Sequence, residues 1–106
     1  MKLSEIAHAR SGDKGNHANV GIIALSPDHY EHMKAVLTEE VVESYFGPLG
    51  PTKVERFELP GINALNFLLH DVLAGGASRS LRVDSQGKTL GLAILEMEIP
   101  EPQPAS

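Results

Sequence analysis

The 106-residue chain contains no cysteine and no tryptophan, and only two tyrosines and three phenylalanines. Without cysteine it has no disulfide, no thiolate metal ligand and no thiol nucleophile. So few aromatics leave no platform on which successive bases could stack, which excludes a single-stranded nucleic-acid groove. Positive charge is scarce too. Nine Lys and Arg stand against 14 Asp and Glu, a formal net charge of −5, and they nowhere gather into the basic face that a nucleic-acid duplex or an anionic membrane surface requires. No apolar run approaches the ~18 residues that cross a bilayer, and Met1–Glu5 lacks the apolar stretch of an export signal. The expectation is a cytoplasmic protein with no nucleic-acid and no membrane partner.

What is present is ordinary globular composition, 42% hydrophobic and 22% charged, which excludes a wholly disordered, collagenous or coiled-coil chain. The length suits one domain around one modest core. That domain is expected over residues 1–99, with residues 100–106 a disordered tail broken by Pro100, Pro102 and Pro104.

The patterning predicts a strand over Leu3–Arg10, a loop over Arg10–His17, and a strand over Ala18–Leu25 that is apolar on both faces. Ser26-Pro27-Asp28 opens a helix reaching about Leu37, and Thr38-Glu39-Glu40 caps a second one that stops at Gly47-Pro48. Thr52–Leu59 reads as a third strand. Beyond Pro60-Gly61, the helical spacing of Ile62, Leu65, Leu68, Leu69, Val72 and Leu73 predicts a third helix, with Asn63, Asn66 and His70 on its polar stripe. A short strand Ser80–Asp84, a turn Ser85–Lys88 and a long strand Thr89–Ile99 complete the pattern. The fold class expected is α+β, a two-layer sandwich of ferredoxin-like type with a mostly antiparallel sheet and helices on one face. The last strand and Ala18–Leu25 carry apolar rows on both sides, so one row would meet water. That predicts a homo-oligomer, most simply a dimer, joined through the open face.

Two segments have the make-up of an anion pocket. In Arg10–His17, two glycines let backbone amides converge beside Arg10, Ser11, Asp13 and Lys14. The segment does not follow the phosphate-loop spacing, and a plain hairpin loop with Lys14 solvated explains the same composition more simply. Gly75–Arg82 adds Arg79 and Arg82, which suit bidentate carboxylate or phosphate binding, or equally a helix end followed by an edge strand. If the two segments meet, Arg10, Ser11, Asp13, Lys14, Arg79 and Arg82 surround one pocket with Asn19 and Asn66 as walls. His29 and His32 stand one helical turn apart without a third ligand at metal-site spacing, so no metal and no other cofactor is expected. No GxSxG elbow supports a serine hydrolase. His8 and His70 remain as candidate general bases or, more simply, as hydrogen-bonded half-buried histidines.

Leu3-Ser4-Glu5-Ile6-Ala7-His8-Ala9-Arg10-Ser11-Gly12-Asp13-Lys14-Gly15 with Ala18-Asn19-Val20-Gly21 closely resembles the start of the AtuA-like ferredoxin-fold domain, the C-terminal domain of acyclic terpene utilisation proteins. Glu58-Leu59-Pro60, Ala64-Leu65-Asn66-Phe67, Gly75-Gly76, Arg79-Ser80-Leu81-Arg82, Asp84 and Gln86–Gly91 extend the resemblance from Leu3 to Ile99. It implies a link to bacterial breakdown of branched acyclic terpenoids through coenzyme A thioesters. It assigns no catalytic residue. The stand-alone domain implies a separately encoded large subunit of the same family as partner. Three functions stand at this point. The first is a non-catalytic accessory or binding domain for an anionic small molecule such as an acyl-CoA. The second is a small enzyme on an acyl-CoA with His8 or His70 as base, and the third a purely structural oligomerisation module.

Overall fold

The computed structural model describes residues 1–72 and 88–102. A single 3₁₀ turn over Leu3–Glu5 leads into strand β1, Ala7–Lys14, and then β2, His17–Ala24. The expected Arg10–His17 loop is therefore corrected: the chain stays extended to Lys14 and turns only at Gly15-Asn16. Gly15, at φ +64°, supplies the positive φ that a two-residue hairpin needs at its first central position. Gly12, counted as loop chemistry in the sequence, pairs with Asn19 inside the ladder.

Helix α1, Pro27–Val36, starts where the sequence places it, with Ser26 Oγ accepting the His29 N–H at 3.2 Å. Helix α2, Glu39–Tyr45, is capped by Thr38, whose Oγ1 accepts from Val41 N at 3.1 Å. Strand β3 spans Val54–Leu59.

The helix expected from Ile62 to Leu73 does not form. Pro60–Ile62 makes a 3₁₀ turn, Asn63 takes a left-handed conformation at φ 56°, and strand β4 follows over Ala64–Leu69. β3 and β4 form a hairpin in which Leu59 pairs with Ala64. The reason is that Leu65, Phe67 and Leu69 keep a two-residue period that competes with the helical spacing of Leu65, Leu68 and Leu69, and the sheet offers them two neighbouring strands.

The strand expected over Thr89–Ile99 is likewise overturned. Its first part is helix α3, Lys88–Leu95. Met97–Ile99 then lies along the chain start: Leu3 N donates to Met97 O, Ile99 N to Met1 O, and the Met1 amine to Ile99 O, at 2.9, 2.8 and 3.0 Å. The expected turn and short strand before Lys88 lie outside the described residues.

The four strands form one antiparallel sheet in the order β1-β2-β4-β3. Val20, Ile22, Leu65, Phe67 and Leu69 face the helices. There they pack with Leu3, Ile6, Met33, Leu37, Val42, Leu90, Ile94 and Met97 in one buried cluster. The result is an α+β two-layer sandwich. Gly91 brings α3 against β1 so closely that a Cβ there would stand 3.3 Å from backbone atoms of Arg10. Among the described residues no helix is long and apolar enough to cross a membrane.

A candidate site on the uncovered sheet face

Alternation along the strands sends every second residue away from the helices, and the register sorts those residues into rows. His8, Ile23, Ala64 and Leu59 form one; Arg10, Gly21, Asn66 and Phe57 the next; Gly12, Asn19, Leu68 and Glu55 a third. No described helix lies over these rows. Successive rows on one face are about 7 Å apart.

The middle row has the chemistry of a ligand cradle. Gly21 contributes no side chain, and an ideal Cβ built on it would find Asn66 Oδ1 at 3.6 Å and Arg10 Cγ at 3.8 Å. The glycine thus leaves a notch floored by backbone, with a guanidinium stem on one wall and an amide on the other. Arg10 is exposed, and among the described residues no carboxylate pairs with it. Such a notch suits a planar anion, which the guanidinium can grip with two parallel hydrogen bonds while the Asn66 side-chain NH2 donates beside it.

Of the expected site residues, Arg10, Asn19 and Asn66 occupy this face. Ser11 turns to the opposite one, where its Oγ accepts the Gly91 N–H at 3.1 Å and ties β1 to α3. Asp13 and Lys14 hold register positions opposite Ala18 and His17 near the hairpin turn. Arg79 and Arg82, and with them the whole Gly75–Arg82 segment, lie outside the described residues. The expected meeting of the two segments therefore falls outside them as well.

Sequence reading missed a polar cluster at the hairpin end of the same face. His17 and His70 meet edge to face with ring centroids 4.7 Å apart. His70 Nε2 lies 2.7 Å from Glu55 Oε1. That bond is the leading cause holding the Glu55 carboxyl below its ordinary value, with nearby Lys53 acting in the same sense and desolvation opposing both. His17 Nδ1 accepts the backbone N–H of Asp71 at 3.1 Å, which leaves Nε2 to carry the hydrogen of the neutral ring. Asp71 itself has φ 64°, and its carboxylate accepts from Thr52 Oγ1 at 2.6 Å. No spacing along the chain announces this cluster, because it is assembled from β2, β3 and β4 by strand pairing.

Arg56 was also missed. On the helix side of β3 its Nη1 donates to Lys34 O and Leu37 O at 2.7 and 2.9 Å, in the last turn and at the C-cap of α1, and its backbone N donates to Glu39. These bonds occupy Arg56 in bracing the sheet to the helices. Of the α1 histidines, His32 is similarly engaged, its Nε2 lying 2.6 Å from Pro100 O. His29 Nδ1 is buried without a partner among the described residues. Among the described residues no group of three His, Asp or Glu side chains is placed to hold a metal.

Neither a search of curated proteins nor one of solved structures returns a match. The sequence profile of the AtuA ferredoxin-like domain matches residues 1–100. That match covers nearly the whole chain and agrees with a four-stranded antiparallel sheet layered against helices, so this chain belongs to the AtuA ferredoxin-like domain family.

Proposed function

We propose that this protein is a non-catalytic binding domain for an anionic metabolite, an acyl-CoA or a related carboxylate, and serves as an accessory to bacterial acyclic-terpenoid catabolism. One observation carries the reading. Arg10, the bare backbone of Gly21, Asn66 and Phe57 stand in line across four strands on a face that no described helix covers. A cation and an amide flank a floor without side chains, and an apolar ring continues the row. A carboxylate or phosphate engages Arg10, and an attached acyl chain runs along the row as far as Phe57. The family membership supplies the metabolic setting.

The test is calorimetric titration of the purified protein with branched and straight acyl-CoA esters, their free acids and coenzyme A itself. At least one ester is expected to bind. Arg10→Ala should weaken it about 10- to 100-fold, the worth of a charge-assisted hydrogen bond. Gly21→Ala should also weaken it with the fold intact, because the new Cβ meets its neighbours at ordinary contact distances of 3.6 and 3.8 Å. Wild-type protein that binds no member of the panel overturns the proposal.

A further inference from the structure

We infer that a second copy of this chain docks on the apolar end of the uncovered sheet face, forming a two-fold dimer. Among the described residues, the exposed large hydrophobic side chains other than Val41, Tyr45 and Leu92 of the helix layer gather in one place. Ile23 at 37% exposure, Leu25 at 52%, Phe57 at 45%, Leu59 at 43% and Ile62 at 60% all belong to the end of the face where β2 finishes and the β3–β4 hairpin turns. Ala64, in their midst, is buried yet stands outside the core cluster.

Area identifies the occupant. Five side chains of this size at these exposures present on the order of 400 Å² of apolar surface, the size of the largest and often functional patch on a domain. It also approaches the apolar share of the ~800 Å² that each partner buries in a standard interface. A second copy supplies the matching half without any further feature, because a two-fold axis through the patch lays Ile23, Leu25, Phe57, Leu59 and Ile62 against themselves. Charge agrees. The chain carries a net charge of −5, but none of the five contacting side chains is charged, so two acidic protomers meet there without opposing carboxylates at the centre.

Phe57 belongs both to the patch and to the row of Arg10, Gly21 and Asn66. The docked copy therefore borders the notch and closes one side of it. This last point rests on the ligand reading above; the dimer does not.

Sedimentation equilibrium and multi-angle light scattering from micromolar to high micromolar concentration decide the matter. Wild type is expected at twice the 11.4 kDa chain mass. Ile62→Asp and Leu25→Asp alter exposed positions, so far-ultraviolet circular dichroism and melting should be unchanged while self-association weakens 100-fold or more. Leu92→Asp removes an equally exposed leucine, 64% accessible on α3 in the helix layer, and should leave the dimer intact. A monomeric wild type, a mass other than the dimer's, or dissociation caused by Leu92→Asp but not by Ile62→Asp would each overturn the inference. Arg10→Ala must leave the mass unchanged whatever it does to ligand binding. If folded, monomeric Ile62→Asp binds ligand as tightly as wild type, closure of the notch is refuted and the dimer stands.

Discussion

Glu55 shows how one hydrogen bond couples this fold to pH. Its carboxylate stands 2.7 Å from His70 Nε2, and that bond is the main reason its pKa lies below the ordinary value of 4.5. A carboxyl that titrates lower in the folded chain than in the unfolded one stabilises the fold in full above the unfolded value. The contribution fades as the pH falls through the folded value. His70→Ala removes the partner, so the Glu55 side-chain carbon should titrate closer to 4.5 in a carbon-detected NMR series. The acid limb of urea stability below that pH should flatten in parallel. An unchanged Glu55 titration would mean that Lys53, not His70, sets its acidity. The same residue pair bears on the acid–base alternative: with Nε2 engaged by Glu55, only Nδ1 of His70 is left to accept a proton, and His17 stands at its edge.

At the level of elements, the two helices that carry their own caps were the easiest to read, and the reasons are local. Ser26-Pro27-Asp28 and Thr38-Glu39-Glu40 each bring their own cap, and both helices begin where those caps stand. Ile62–Leu73 was misread because its leucines satisfy both periods; pairing with β2 and β3, which spacing along the chain does not contain, settles the choice. The signal available was the turn Pro60-Gly61-Ile62-Asn63, four residues between paired Leu59 and Ala64. Lys88–Leu95 was misread because Leu90 to Leu95 is apolar on every side, and such a run has no period to distinguish helix from strand. The candidate site inherited both outcomes. Arg10, Asn19 and Asn66 were expected at a site from residue type and family resemblance, and the register puts them on one face. Gly21 as a floor, and the His17–His70–Glu55 cluster, depend on the β2–β4 register and stayed hidden. Gly91 gives a test of the α3 assignment. In a free helix, alanine for glycine gains about 0.5–1 kcal/mol, but here the added carbon meets Arg10 backbone at 3.3 Å. Gly91→Ala should therefore lower stability by about 1 kcal/mol or more, the usual cost of overpacking, measured by denaturant unfolding. A stabilised variant would place α3 farther from β1.

Across the whole molecule, the helices cover one side of the sheet and the other is where the binding and docking proposals converge. The last segment adds nothing to that open side, contrary to the row of apolar residues expected from it. Leu90 and Ile94 enter the core, and Leu92 is exposed in the helix layer. The open side takes its apolar character from the ends of β2 and β3 and the hairpin between β3 and β4 instead. A different consequence follows from the way Met1–Leu3 and Met97–Ile99 lie hydrogen-bonded side by side. A domain whose first and last paired segments touch can be closed there and opened elsewhere. Linking Pro102 to Met1 by a short glycine-serine bridge and reopening the backbone between Gly15 and Asn16, both exposed at a turn, gives a circular permutant with the same strand order. It should reach the same far-ultraviolet spectrum but fold more slowly. The β1–β2 ladder, which the original chain closes over two residues, must then form between opposite ends of the sequence. Stopped-flow refolding of the two topologies side by side would measure how much of the folding speed of this sheet comes from that one tight turn.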